Sequence, residues 1–339
     1  MVNVKGYISS NFTKAFLTIF LPFFLIMSLG YIVQMSSLTA KIQITFGELV
    51  RLYTYSIPDI IFYTLPLSFV AALANVLMKL SQENELIALY ALGLKSNTVL
   101  RSLLFLGVLF SLLLTSISFL AMPLSIQFFK SFTETKRSEA KLNIVAGKLG
   151  QKFGDYYIYI KEKENNTLHD IIIYTRTNRN EEQFFSSKKG KLNKVEDTTS
   201  LLLDDGYVYT YTELKLQQAK YKTLELYDTS KKRNFQFEDI IKYWSKAKND
   251  INTMHKVLFF IFVSLIPFLS VYPIASFTMI NPRYQRNHSF IVIFVITLLF
   301  YIAASYLQKQ GSPITLLFFI ITVLFLGKWM FEKRVSKYF

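Results

Sequence analysis

The chain of 339 residues contains no cysteine, which excludes disulfides, thiolate metal sites and a cysteine nucleophile. Histidine is scarce, and its three residues (His169, His255 and His288) lie far apart in the sequence, so a metal centre would need several carboxylates to complete it. Charged residues amount to 18%, against about 25% in soluble domains. This deficit indicates that much of the surface never meets water.

Motifs that bind nucleotides or carry out hydrolysis are also missing. The sequence has no G-x-x-x-x-G-K-[ST], no H-E-x-x-H and no G-x-S-x-G. We therefore expect the chain to bind no cofactor, and an enzyme that acts on lipid is the least favoured interpretation. Ionisable residues inside the apolar stretches are nearly absent, since Asp59 and Lys309 lie near their ends. This argues against a carrier driven by protons or sodium, so any energy should come from a partner.

Hydrophobic residues, in contrast, make up 52% of the chain, and 32 residues are phenylalanine. A helix needs about 20 mostly apolar residues to cross a hydrocarbon core of roughly 30 Å. Six stretches meet this requirement, at residues 15–35, 57–78, 102–129, 257–280, 290–307 and 313–331. The sequence therefore predicts an α-helical membrane protein with six transmembrane helices.

The net charge of +15 is distributed as in a membrane protein, with basic residues at the ends of apolar stretches, and does not indicate nucleic-acid binding. If the N-terminus is cytoplasmic, the short flanks on the opposite side carry only Lys41, Arg51 and Lys309. The cytoplasmic flanks then carry Lys5, Lys14, Lys79, Lys95, Arg101, Arg283, Arg286, Lys328, Lys333, Arg334 and Lys337. The excess of positive charge predicts that both termini are cytoplasmic and that the large insert is periplasmic.

The insert, residues 130–254, contains short runs rich in Ile, Tyr, Val and Thr, at residues 155–163, 168–176, 200–214 and 221–228. Polar turns separate these runs, which predicts an all-β domain: a sandwich, a jelly roll or an open barrel. We expect three parts: helices 1–3 in residues 1–129, the β domain in 130–254, and helices 4–6 in 255–339. Two interpretations of this domain are open: it carries a function, or it only supports the helices.

The cytoplasmic loop between the second and third spans predicts a short helix at residues 81–93. Ser81 can cap it, Glu83 and Glu85 fall in its first turn near the positive end of the dipole, and Gly93 can close it. The residues after Glu85 are apolar nearly all round: Leu86, Ile87, Leu89, Tyr90 and Leu92. Such a helix should be buried, either in the bilayer interface or in a groove of another protein such as a cytoplasmic ATPase.

Three segments resemble the lipopolysaccharide-export permeases, the LptF/LptG (YjgP/YjgQ-type) family. The segment TLPLSFVAALANVLMKLSQENELIALYALGLK (64–95) is similar to the second span and coupling helix, with Pro66-Leu67, Glu85 and Ala91-Leu92-Gly93 at the family positions. The segment NPRYQR (281–286) is similar to an N-P-R-x-G-R loop, although Gln285 replaces the usual glycine, and it slightly favours the LptF member. The segment 138–160 resembles the entry to a periplasmic β-jelly roll.

The resemblance implies a non-catalytic half-transporter of the inner membrane. Its partners would be a second homologous permease, a cytoplasmic ABC ATPase dimer that hydrolyses the ATP, and a periplasmic bridge protein that receives lipopolysaccharide. The ATPase-coupling residues would be Glu83, Glu85, Leu86, Tyr90 and Gly93, and the second cytoplasmic loop would contribute Pro282, Arg283 and Arg286. The alternative is a mechanotransmitting subunit that moves a periplasmic domain without carrying lipid.

One departure from the family concerns the lipid phosphates. Family members carry basic residues near the periplasmic end of the first span, where this chain has Gln34 alone and its nearest cation is Lys41. Lys41, Arg51 and Lys309 are therefore predicted to contact lipid phosphates from the rim. The alternative is that these residues only anchor the helices at the interface.

Overall fold

The computed structural model describes residues 4–39, 44–142, 145–153, 155–164, 167–178, 181–195, 198–212, 215–227, 236–279 and 289–337. The chain divides into two compact units. The helical unit comprises Met1–Ser37, Phe46–Phe129 and Phe237–Phe339, and the β unit comprises Leu38–Thr45 and Lys130–Gln236. A helical membrane protein with an inserted β domain is confirmed.

Among the described residues, six helices are long and apolar enough to cross a membrane, which confirms the predicted number of spans. The first span is α1 (Val4–Thr39) and the second is α2 (Phe46–Gln82). The short helix α3 (Glu85–Ala91) follows α2. The third span is one continuous helix made of α4 (Ser96–Ser116), a π-helical turn (Ile117–Ala121) and α5 (Met122–Leu142). After the β unit follow α6 (Ile240–Ser245), α7 (Ile251–Thr278), α8 (Ser289–Gln310) and α9 (Pro313–Phe331). Several helices extend beyond their apolar stretches.

Helices α2 and α7 form the centre of the helical unit. In the apolar 18-residue segments of α2 and α7, 72% and 56% of the residues are buried, whereas in that of α1 only 11% are buried. Glycines allow neighbouring helices to approach α7 closely: a Cβ on Gly107 of α4 would lie 3.1 Å from the Phe268 Cα, and one on Gly327 of α9 would lie 2.9 Å from the Pro273 Cδ. The weakly buried α1 packs through Phe12 and Phe16.

The described residues of the β unit form one antiparallel sheet, in which six strands pair in sequence order. The strands are β1 (Gln151–Phe153), β2 (Tyr156–Glu164), β3 (Thr167–Asn178), β4 (Glu181–Val195), β5 (Thr198–Thr212) and β6 (Lys215–Tyr227). Buried apolar side chains that include Phe153, Ile160, Ile173 and Leu203 form its core. Because every described strand pairs with its sequence neighbours, these strands form a meander, and no Greek-key crossing of a jelly roll occurs among them.

Residues 237–254, which the sequence predicts to be part of the insert, belong to the helical unit. Gln127 of α5 fixes this segment by two reciprocal hydrogen bonds. Its Nε2 donates to the Glu238 carbonyl at 3.2 Å, and its Oε1 accepts from the Glu238 N–H at 2.8 Å. The segment contains the short helix α6. Its contact with α5, and not the end of the β-strand pattern, therefore sets the boundary between the two units.

Candidate functional site

The helix α3 begins at a sharp turn that follows α2. Helix α2 runs to Gln82, and Asn84 then takes a left-handed conformation with a φ of 59°, so the chain starts a new helix instead of continuing the old one. Ser81, expected to cap this helix, is buried in the last turn of α2, and Asn84 occupies the cap position without a side-chain hydrogen bond. The helix therefore starts later than predicted, because α2 continues to Gln82 and the turn falls at Asn84.

The two acidic residues of this turn differ in their contacts. Tyr7 of α1 donates a hydrogen bond of 2.8 Å from its hydroxyl to Glu85 Oε2, which links the first span to α3. Glu83 is exposed, and its Oε1 lies 3.9 Å from Lys79 Nζ. Glu85 therefore connects two elements, whereas Glu83 is exposed just after the end of α2.

The apolar residues of α3 separate into an anchored and an exposed group. Leu86 is buried among the core residues, and Tyr90 packs against that core. The burial of Tyr90 raises the pKa of its hydroxyl. Leu92, just after the helix, is 79% exposed. Gly93 takes a φ of 83° and donates its N–H to the Tyr90 carbonyl at 2.9 Å, which ends the helix as expected. The segment therefore has one face fixed to the helical unit and one apolar residue available to another molecule.

An apolar cavity of about 450 Å³ lies between α2, α7 and α8. This volume is typical of ligand sites. The lining residues are Tyr63, Pro66, Leu67, Val70, Phe259, Val263, Ile266, Phe294, Thr297, Leu298, Phe300, Tyr301, Ala304, Ser305 and Gln308. The cavity leaves no signal in the sequence, because a helix face that lines a cavity is as apolar as one that faces the bilayer.

The predicted rim cations are only partly described. Arg51, near the start of α2, and Lys309, in the last turn of α8, are both exposed. Lys41 lies outside the described residues, as does the loop with Pro282, Arg283 and Arg286 that the sequence predicts to be cytoplasmic. Among the described residues, no group of three His, Asp or Glu side chains is arranged to hold a metal ion.

Six apolar helices and an inserted β unit define a multi-pass membrane protein with a water-facing domain. The chain belongs to the family described as lipopolysaccharide export system permease LptF/LptG, whose model matches residues 6–333 and so covers nearly the whole chain. A search of curated proteins finds no match. Membership in this family makes the chain a lipopolysaccharide export permease subunit of the inner membrane, and the joint family does not separate LptF from LptG.

Proposed function

We propose that this permease extracts lipopolysaccharide from the inner membrane with energy supplied by a separate cytoplasmic ABC ATPase dimer. The observation that carries the proposal is the construction of α3. Leu86 and Tyr90 fix the helix to the helical unit, while Glu83 and Leu92 are exposed for a partner. A short helix fixed on one side and exposed on the other is suited to transmit a push from a docked protein.

The hydrogen bond between Tyr7 and Glu85 gives this push a route to α1. Helix α1 is the least buried of the six spans, so its position can change at little cost in packing. Movement of α3 would shift α1 against the bundle and alter the space open to lipid. The ATP is bound and hydrolysed by the partner, and this chain holds no cofactor.

The exposed apolar surface of α1 supports pairing with a second homologous permease. Leu25, Ile26, Leu29 and Val33 are each at least 60% exposed within the helical unit. In the bilayer, this surface would be covered by the corresponding surface of the second permease or by the surrounding acyl chains.

We place both termini in the cytoplasm and the β unit in the periplasm, in accord with the distribution of Lys and Arg.

In the periplasm, the β unit would receive the lipid and pass it to a bridge protein. Its apolar core offers a path for acyl chains, and β6 pairs on one side with β5 along its whole length. Among the described strands the other edge of β6 has no neighbour, so a bridge protein could extend the sheet by strand addition.

The α2–α7–α8 cavity favours a lipid carrier over the alternative, a mechanotransmitting subunit that carries no lipid. A photo-crosslinking residue at Leu224, which packs against the apolar core of the β unit, separates the two. Carriage of lipid predicts capture of lipopolysaccharide at Leu224 in the presence of ATP, and no capture at the exposed Tyr211. Absence of capture at Leu224 while ATP is hydrolysed would favour the mechanotransmitter.

Lys41, Arg51 and Lys309 are proposed to contact the lipid phosphates from the periplasmic rim. The exposure of Arg51 and Lys309 is in accord with this role, since both cations are accessible to an anionic headgroup. Replacement of all three by alanine should weaken the crosslinking of lipopolysaccharide. Unchanged crosslinking would leave them as interfacial anchors.

A further inference from the structure

A second cavity, of about 210 Å³, lies between α1 and α2 at the end of the helical unit where α3 begins. It shares Tyr7, Glu83 and Glu85 with the proposed coupling contacts, but the proposed function assigns it no ligand. Unlike the apolar cavity, it is lined largely by polar side chains. On α1 its lining residues recur every three or four positions, at Tyr7, Asn11, Lys14 and Thr18, so they share one face of the helix. This polar face of α1 looks onto α2.

The depth of the polar side chains in the bilayer follows from the ends of the apolar stretches. Lys14 directly precedes the apolar stretch of α1, and Lys79 directly follows that of α2, so both lysines lie at the level of lipid phosphates. Thr18 and Asn75 lie one helical turn further into the membrane, a step of about 6 Å. The polar side chains in the inner part of the cavity are therefore neutral, and the two lysines lie nearer to the membrane surface.

Two carboxylates line the cavity on its outer side. Glu83 lies one turn beyond Lys79, and Glu85 follows at the start of α3, where Tyr7 holds it. The two lining lysines and two lining glutamates have no net charge together, but they lie at different depths. The lysines lie at the phosphate level, and the glutamates lie nearer to water. The contact of 3.9 Å between Lys79 and Glu83 is exposed, and ion pairs of this kind are weak.

We propose that this cavity binds the headgroup of a phosphatidylethanolamine, a zwitterionic phospholipid of the leaflet on the α3 side. Its phosphate would accept charge-assisted hydrogen bonds from Lys14 and Lys79. Its ammonium group, two carbons further out, would donate to Glu83 and Glu85. An anionic headgroup would place only hydroxyl groups against the carboxylates, and a trimethylated one has no N–H to donate. The volume suits a headgroup, with the acyl chains left in the bilayer.

The test compares three phospholipids with identical acyl chains: phosphatidylethanolamine, phosphatidylcholine and phosphatidylglycerol. Each is titrated into the full chain, purified with its partners in detergent, and bound lipid is counted by native mass spectrometry. We expect phosphatidylethanolamine to bind about tenfold more tightly than the other two, the effect typical of a charged hydrogen bond. Equal binding of all three, or tighter binding of phosphatidylglycerol, overturns the proposal.

Variants assign the binding to this cavity. Lys14→Ala should weaken binding of phosphatidylethanolamine about tenfold, whereas Lys5→Ala, on the same helix but outside the lining, should leave it unchanged. Lys14→Arg, which keeps the cation, should retain binding and so separates loss of charge from misfolding. Glu83→Gln should reduce the preference for phosphatidylethanolamine over phosphatidylcholine. Equal effects of Lys14→Ala and Lys5→Ala overturn the assignment, and the readout does not depend on ATP hydrolysis.

Discussion

Trp244 donates its indole N–H to the carbonyl oxygen of Phe119 at 2.9 Å, and the two rings lie 5.0 Å apart. Pro123, four residues after Phe119, has no N–H to pair with this carbonyl in the helix. The third span widens there into the π-helical turn Ile117–Ala121. Helix α6 therefore supplies, from a distant part of the chain, the donor that the proline removes.

Trp244→Phe tests this bond because it keeps an aromatic ring and removes the donor. We expect the free energy of unfolding of the helical unit to fall by about 1 kcal/mol, as for the loss of one partly buried hydrogen bond. Thermal unfolding in detergent measures the change. Trp329→Phe, at a half-exposed position of α9, is the matched control and should change stability by less than about 0.5 kcal/mol. Equal losses in the two variants would refute this role of Trp244.

Gly206 of β5 is predicted to tolerate no side chain. A Cβ there would overlap the Ser186 carbonyl oxygen and the ring of Tyr221, whose hydroxyl donates to that same carbonyl at 3.0 Å. Gly206→Ala should therefore destabilise the β unit by about 3 kcal/mol, the upper range for overpacking. Faster proteolysis of the β unit would report it. Gly30→Ala on α1 meets no atom within 4 Å and should be neutral, and a stable Gly206→Ala protein would contradict the prediction.

Asp250 gives the helix α7 a pH-dependent start. Its carboxylate accepts hydrogen bonds from the Thr253 hydroxyl at 2.6 Å and from the Asn252 and Thr253 N–H groups, which lowers the pKa of Asp250. Because the folded pKa is the lower one, the stabilisation is complete above the unfolded pKa of about 3.9 and is lost as the pH falls through the folded pKa. Asp250→Ala should therefore lower the melting temperature at neutral pH.

The difference in melting temperature between Asp250→Ala and the unchanged protein should shrink as the pH falls below about 4. Asp239→Ala serves as the control, because Asp239 precedes α6 without a side-chain capping bond. A difference that stays constant down to the lowest accessible pH would mean that the carboxylate charge of Asp250 does not contribute.

Filling the α2–α7–α8 cavity should block lipid. Ala304 is buried in its wall, and Ala304→Phe would occupy part of the volume. We expect crosslinking of lipopolysaccharide to fall about tenfold, the change that follows from about 1.4 kcal/mol of lost affinity. Ile302→Phe, at an exposed position of the same helix, is the control. Equal crosslinking by the two variants would place the lipid path elsewhere.

The sequence predicted the six spans because their composition alone determines that they leave water. It also predicted Gly93 as the end of α3, because glycine is the residue that most readily takes a left-handed conformation, and the observed φ is 83°. It did not find β4, whose run SSKKGK (186–191) breaks the apolar alternation, so that pairing with β3 and β5 and not its own pattern makes it a strand. The cap at Asn84 and the cavities depend on contacts between helices, which local patterns do not contain.

The most direct test of the proposed coupling replaces Glu85 by lysine and measures the rate of ATP hydrolysis by the complex reconstituted in vesicles with lipopolysaccharide. We expect Glu85→Lys to lower the hydrolysis rate to that of the ATPase without the permease. Glu332→Lys, at an exposed carboxylate after α9, should keep the full rate. Tyr7→Phe removes the hydrogen bond to Glu85 and keeps the charge of Glu85. Its rate of ATP hydrolysis therefore separates the contribution of the hydrogen bond from that of the charge. A Glu85→Lys complex that hydrolyses ATP as fast as the unchanged one would contradict the account.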